Sequence, residues 1–193
     1  TKSVLNITAD INPLTVTKQK VDSNAVRCPD ENKASEMEKL ILDVKSQGNS
    51  VGGIIECVIK NLPAGIGEPV FDKLDALLAK AMLSINAVKG FEIGDGFEAT
   101  RKLGNENNDI FLPDETTLTN HAGGVLGGIS NGMPVVFRTA FKPTPSILVP
   151  QKTIKETSNE IVDIITEGRH DPCVLPRAVP VVEAMTALTL CDL

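Results

Sequence analysis

The stretch NHAGGVLGGISNGMPVVFRTAFKPTPS, residues 120–146, decides how the rest of the chain reads. Two glycine pairs, Gly123-Gly124 and Gly127-Gly128, interrupt an apolar run. Glycine in a strand weakens it, so such pairs mark close approach by another backbone or by a flat ligand. Asn131-Gly132 is the dipeptide of a two-residue hairpin turn, where both central positions need positive φ. After it, Val135, Phe137, Thr139 and Phe141 alternate with Val136, Arg138, Ala140 and Lys142, which is strand periodicity. The strand runs into Lys142-Pro143-Thr144-Pro145-Ser146. Two prolines there fix an extended backbone that presents one cation and two hydroxyls. The physical reading is a glycine-floored hairpin whose exit strand carries a rigid anion-binding loop.

Working outward, residues 1–26 alternate weakly (Val4, Ile7, Ile11, Leu14, Val16) and read as edge strand or irregular chain around Pro13. Asp30 caps a helix whose face is Met37, Leu40, Ile41 and Val44, stopped at Gly48. Ser50 to Lys60 is a β-branched apolar run, hence a strand buried on much of both faces, with Gly52-Gly53 again marking close approach. Pro63 to Pro69 is a tight loop. Pro69 starts a second helix with Phe71, Leu74, Leu78, Ala81, Met82 and Ile85 on its face, ending near Asn86. Val88 to Ile93 is a strand closed by Gly94-Asp95-Gly96. Residues 98–119 lack periodicity and form a long loop, either a mobile active-site cover or a passive connection. Lys152 to Glu156 and Glu160 to Ile165 form a second hairpin about Ser158-Asn159, although the later segment also fits a helix. Pro176 and Pro180 lead into a last helix with Val181, Val182, Met185 and Leu188 on one face. The implied antiparallel pairing gives an α+β class.

Composition narrows the function. The chain has 193 residues, and that length favours one domain. A net charge of −6, with six Phe and no Trp or Tyr, argues against nucleic-acid binding. No apolar run approaches the roughly 20 residues that span a bilayer, and the first residues do not read as a signal peptide. Cys28, Cys57, Cys173 and Cys191 are scattered and read as reduced thiols of a cytosolic protein. With the two histidines they share no metal-ligand spacing, so no metal is expected. Arg169-His170-Asp171-Pro172 places a fixed cation, an imidazole and a carboxylate in a proline-stiffened turn. For Arg138 and Arg177 ion pairs are expected, and for His121 a structural role.

These motifs also resemble a known family. NHAGGVLGGISNG followed by FKPTPSI is similar to chorismate synthase. So are SVGGIIE at 50–56, PAGIGEP at 63–69, SINAVKG at 84–90, GRHDPC at 168–173 and RAVPVVEAM at 177–185. The resemblance runs from Arg27 onward. It implies helices sandwiched between antiparallel β-sheets and a homotetramer. Residues 1–193 would be one domain, the C-terminal portion of an enzyme whose N-terminal segment carries further histidines and arginines. The implied reaction is the lyase step of the shikimate route to aromatic amino acids. In it 5-enolpyruvylshikimate 3-phosphate loses phosphate by 1,4-elimination and gives chorismate, in the cytoplasm and with reduced FMN. The resemblance also implies NADP. By that resemblance Asp171 serves proton transfer with flavin N5, and Arg169 contacts cofactor and phosphorylated substrate. Asn86, Ala87, Gly127, Lys142, Pro143, Thr144, Pro145 and Ser146 are the remaining cofactor contacts. The chain alone is expected to be inactive; the alternative is a non-catalytic oligomerisation or flavin-binding module. Either way Gly127, Lys142 and Asp171 are expected to share one cleft around a flat anionic guest.

Overall fold

The segment after Pro134 forms a strand of strict alternation: Val135, Phe137, Thr139 and Phe141 are buried, and the residues between them half-buried. It is the second-last member of a five-stranded sheet. The computed structural model describes residues 3–4, 7–8 and 11–193; the extended start expected at the other N-terminal positions lies outside them. In chain order the elements are β1 (Ser3–Val4), β2 (Ile7–Thr8), α1 (Lys18–Val21), α2 (Glu31–Ser46), β3 (Gly53–Ile59), α3 (Leu74–Leu83), β4 (Val88–Ile93), α4 (Gly104–Asn107), β5 (Val125–Leu126), β6 (Ile129–Ser130), β7 (Val135–Phe141), β8 (Gln151–Lys155), β9 (Glu160–Ile164) and α5 (Leu175–Asp192).

The sheet order is β2-β1-β3-β7-β4, and every pairing is antiparallel. Ile55 lies opposite Thr139 and Cys57 opposite Phe137 on one side, with Phe91 and Ile93 opposite the same two on the other. Directly opposed residues share a face. These therefore form one apolar surface, on which the Phe91 and Phe137 rings sit 5.3 Å apart. Helices α3 and α5 cover it with buried Leu74, Leu78, Met82, Leu175, Val179 and Val182. Cys57 Sγ meets Thr186 Oγ1 of α5 at 3.8 Å. The α+β expectation holds, with one helix layer and one large antiparallel sheet among the described residues. Helix α2 also forms as read: the Asp30 carboxylate accepts from the Lys33 amide, and Gly48 at φ 67° ends it.

Several local readings change. The two-residue turn lies at Gly127-Gly128, with φ of 63° and 93°, between the paired Leu126 and Ile129. Asn131-Gly132 is not that hairpin. The Asn131 side chain accepts from the Met133 amide at 3.0 Å, and Pro134 has no N–H to donate across a ladder. The first glycine pair meets backbone instead: a Cβ on Gly123 would stand 2.6 Å from Gly94 Cα and 2.9 Å from the Val136 carbonyl oxygen.

Helix α3 begins at Leu74 rather than at Pro69, because Val70 adopts φ 72° and the Glu68 amide bonds Asp72 O at 2.9 Å. Phe71 is consequently 86% exposed and leaves the expected face. The buried side of α5 is Leu175, Ala178, Val179, Val182 and Thr186, so Val181 and Leu188 point to solvent. Around Pro13 the chain makes a 3₁₀ turn, followed by the short α1. The hairpin β8–β9 forms, which removes the helical option for residues 160–165.

The long loop is pinned rather than loose at its end. The Asp109 side chain, 3% exposed, accepts from Thr119 Oγ1 at 2.6 Å and from the amides of His121 and Ala122 at 2.8 and 2.9 Å. Burial pushes this carboxyl up, but these hydrogen bonds and the neighbouring His121 outweigh burial and hold it below the usual carboxylate range. A depressed folded pKa gives stability that is complete above the unfolded value of about 3.9 and is lost as pH falls through the folded one. Amide protection at His121 and Ala122 is therefore expected to collapse only in strong acid. Asp109→Asn should remove that acid step and cost about 1–3 kcal/mol. Hydrogen exchange against pH measures both; an unchanged acid step in the variant contradicts the assignment.

Candidate functional site

One end of the sheet gathers most of the candidate residues, and backbone contacts do the gathering. The Lys142 amide donates to the Ala87 carbonyl at 2.9 Å, which joins the exit of β7 to the entry of β4. Ser50 Oγ donates to the Thr144 carbonyl at 2.6 Å. The next residue, Val51, donates its amide to the Pro172 carbonyl at 2.8 Å. Two adjacent residues ahead of β3 thus hold the Lys142–Ser146 loop and the Arg169–Pro172 turn side by side. Gly52 makes room for this: a Cβ there would fall on the Phe141 carbonyl and stand 2.9 Å from both Lys142 C and Pro143 N.

Between the two loops lies a cleft of about 600 Å³ lined by Thr144, Ser146, Arg169, His170, Asp171, Val174 and Arg177. Arg177, in the first turn of α5, pairs with Asp171 at 2.5 Å. His170 Nε2 lies 3.0 Å from the Thr166 carbonyl oxygen, which anchors the ring to its own turn. Arg169 and Lys142 have exposed side chains and no ion-pair partner among the described residues. Thr144 Oγ1 is buried and has no hydrogen-bond partner among the described residues. A buried unpaired hydroxyl is costly, so such an atom marks a place where a polar guest fits. Arg169, the flanking Lys142 and the hydroxyls of Thr144 and Ser146, the first of them orphaned, suit an anionic ligand.

Ala87 adds strain beside this cleft. Its φ of 71° is in the left-handed region, unusual for a residue with a Cβ, and such outliers cluster at ligand sites. Asn86 next to it is exposed. Neither Ala87 nor Lys142 lines the cleft itself; both flank it through the Lys142–Ala87 hydrogen bond. Gly127 is not part of this assembly. Gly128 O accepts from the Leu74 amide at the start of α3, whereas Ala87 follows that helix's other end. Ten helical residues span about 15 Å, so within one chain the glycine turn and the cleft lie at opposite ends. Space around Gly127 is open, and its φ alone accounts for the glycine. The expected three-way convergence therefore reduces to the exit loop and the Arg169–Asp171 turn, flanked by Asn86-Ala87.

A second cleft, about 310 Å³ and largely apolar, lies between α5, β3 and residues 11–21. Its Lys18 and Glu183 pair at 3.0 Å, and Lys60 donates to the Leu14 and Val16 carbonyls, so these charges are occupied. Burial pushes its Cys57 thiol up to about 11, and likewise raises Cys173; neither is a ready nucleophile. Arg138 forms the expected ion pair, with Glu92 at 2.8 Å.

The family model described as chorismate synthase matches residues 2–193. The chain belongs to the chorismate synthase family. A chorismate synthase of Gloeothece citriformis is 53% identical over 99% of this chain and 54% of its own length. One from Christiangramia forsetii is 56% identical over 89% of this chain and 48% of its own. A solved structure of a chorismate synthase superposes with a TM-score of 0.76 at 34% identity, covering 94% of this chain and 49% of that one. The chain thus spans about half the length of the chorismate synthases it matches. Among the described residues no helix is long and apolar enough to cross a membrane.

Proposed function

We propose that this chain supplies the flavin side of a chorismate synthase active site, as the C-terminal portion of that enzyme and as one domain. The proposed overall reaction is loss of phosphate from 5-enolpyruvylshikimate 3-phosphate to give chorismate, in a cytoplasmic homotetramer. Lys142 and Arg169 supply fixed positive charge, and Thr144 and Ser146 hydroxyls, to the cofactor and the phosphorylated substrate. Held by these residues, reduced FMN would supply transient electron density for the loss of phosphate, without net redox change. Ala87 closes the side of the site through its carbonyl, which accepts from the Lys142 amide, and Asn86 stands beside it as a further contact. Gly127 joins the cofactor contacts only across a chain-to-chain boundary, given its distance from the cleft within one chain. Asp171 would hold and move a proton beside the bound flavin, and Arg177 and the turn hold its carboxylate.

The observation that carries this reading is the side-by-side clamping of the two loops by Ser50 and Val51, with the orphaned Thr144 hydroxyl in the first of them. A second reading, a non-catalytic module that keeps assembly contacts, is favoured by the half-length match alone. Chorismate formation with reduced FMN separates the two. The chain alone is expected to show no turnover, and addition of the remaining half of a family member is expected to restore it. Activity from the chain alone, or none after reconstitution, would contradict the proposal.

The orphaned hydroxyl gives a sharper expectation. Thr144→Val keeps the shape and removes the buried unpaired oxygen, so the ligand-free chain should gain about 1 kcal/mol. The same change should weaken FMN binding several-fold. Thermal unfolding and calorimetry read the two effects. A variant that loses stability, or binds FMN as tightly as before, would show that Thr144 does not face the cofactor.

A further inference from the structure

Arg177 is the cation in the cleft that already has a partner. Its Nη1 lies 2.5 Å from Asp171 Oδ2, and no other hydrogen bond to Asp171 is made by a described side chain. The contact is single, so it fixes one carboxylate oxygen and leaves the other without a side-chain donor. Arg177 itself stands in the first turn of α5, anchored by its amide to the Val174 carbonyl at 3.1 Å. Helix α5 is in turn fixed to the sheet through Leu175, Val179 and Val182. The turn bearing Asp171 is tied to the sheet from the other side by the Pro172 carbonyl and Val51 amide. The carboxylate therefore sits between two rigid supports, and Arg177 is the only side chain on the α5 side that reaches it among the described residues.

We propose that Arg177 is a positioning residue for Asp171: it sets the carboxylate's rotamer and offsets its charge beside an anionic guest, and does not bind that guest itself. The inference rests on the reading of Asp171 as the proton-handling group at the flavin. Arg169, which has no such partner, is left as the cation free to meet the ligand. Without Arg177 the Asp171 carboxylate would turn freely and stand uncompensated where an anion must enter. FMN affinity would then fall only as long as residue 171 is charged.

A double-substitution cycle tests this, with FMN affinity measured by calorimetry on the chain alone and with the remaining half of a family member. Arg177→Gln is expected to weaken FMN about two- to fivefold, the range of an exposed ion pair. In the Asp171→Asn background the same change should have no effect, and Arg177→Lys should restore part of the loss. Equal weakening in both backgrounds overturns the proposal, because Arg177 would then contact the anion directly. An unchanged affinity for Arg177→Gln overturns it as well. If the unsubstituted chain binds no FMN in either setting, the cofactor reading fails and a ligand-free readout decides the pairing. Amide exchange over residues 168–173 should quicken about two- to fivefold in Arg177→Gln and recover in Arg177→Lys; no change there overturns the positioning role independently.

Discussion

Asp171→Asn, introduced into a complete enzyme carrying this sequence, is expected to lower kcat by about 10²–10⁴-fold, the usual contribution of a positioned proton-transfer group. The amide keeps the size of the carboxylate and can still meet Arg177, so the turn should hold its shape. What disappears is the ability to take and return a proton. FMN affinity should therefore change far less than turnover, within about fivefold by the ion-pair range. This split separates chemistry from binding. Equal loss of affinity and turnover would place Asp171 among the cofactor-holding groups. Unchanged turnover would remove it from the mechanism altogether.

The second large effect concerns the scaffold. Gly52→Ala is expected to destabilise the chain by about 3 kcal/mol, at the upper end for overpacking. The new methyl would meet the backbone of Phe141, Lys142 and Pro143, none of which can move without parting β3 from β7. For a chain of this size that corresponds to a fall in Tm of roughly 6–12 °C. The Lys142–Ser146 loop should loosen at the same time, because the neighbouring Ser50 and Val51 hold it and its partner turn. Gly104→Ala is the control: nothing lies near its added methyl, so Tm should stay or rise slightly. A Gly52→Ala protein that melts with the original would show that the exit loop is not seated on β3.

Much of the fold is legible in the sequence itself. The alternation from Val135 to Phe141 gave the central strand, and the Asp30 cap and Gly48 stop gave α2, because each is a local rule acting within a few residues. The Gly52-Gly53 pair signalled close approach, although not what approached. The misplaced elements share one cause. At Asn131-Gly132 the dipeptide favours a hairpin, but Pro134 cannot continue a ladder and the glycines at 127 and 128 take the turn instead. At Pro69 the helix signal is sound, yet Val70 is held left-handed and the Leu74 amide is capped from a distant segment, by Gly128. The buried side of α5 is chosen by α3 and β3 rather than by its own most apolar residues. Such decisions are tertiary, and no window of sequence contains them.

The site divides in the same way. The turn Arg169–Pro172 and the loop Lys142–Ser146 were recognisable as anion-suited chemistry from residue type alone. Their adjacency depends on two ordinary residues, Ser50, 94 positions from its partner Thr144, and Val51, which holds Pro172. Asp109 gave no signal beyond being one acidic residue in a polar loop, yet its carboxylate ties that loop to His121 and Ala122. Gly127 shows the reverse. Its motif is distinctive, but the fold of one chain carries it away from the cleft.

The most direct test follows amide exchange while FMN is added to the chain reconstituted with the remaining half of a family member. Protection should rise together over residues 142–146 and 168–172, and the rise at both should be lost in Arg169→Ala. Protection confined to one of the two loops, or appearing only at residues distant from both, would contradict a shared flavin cleft.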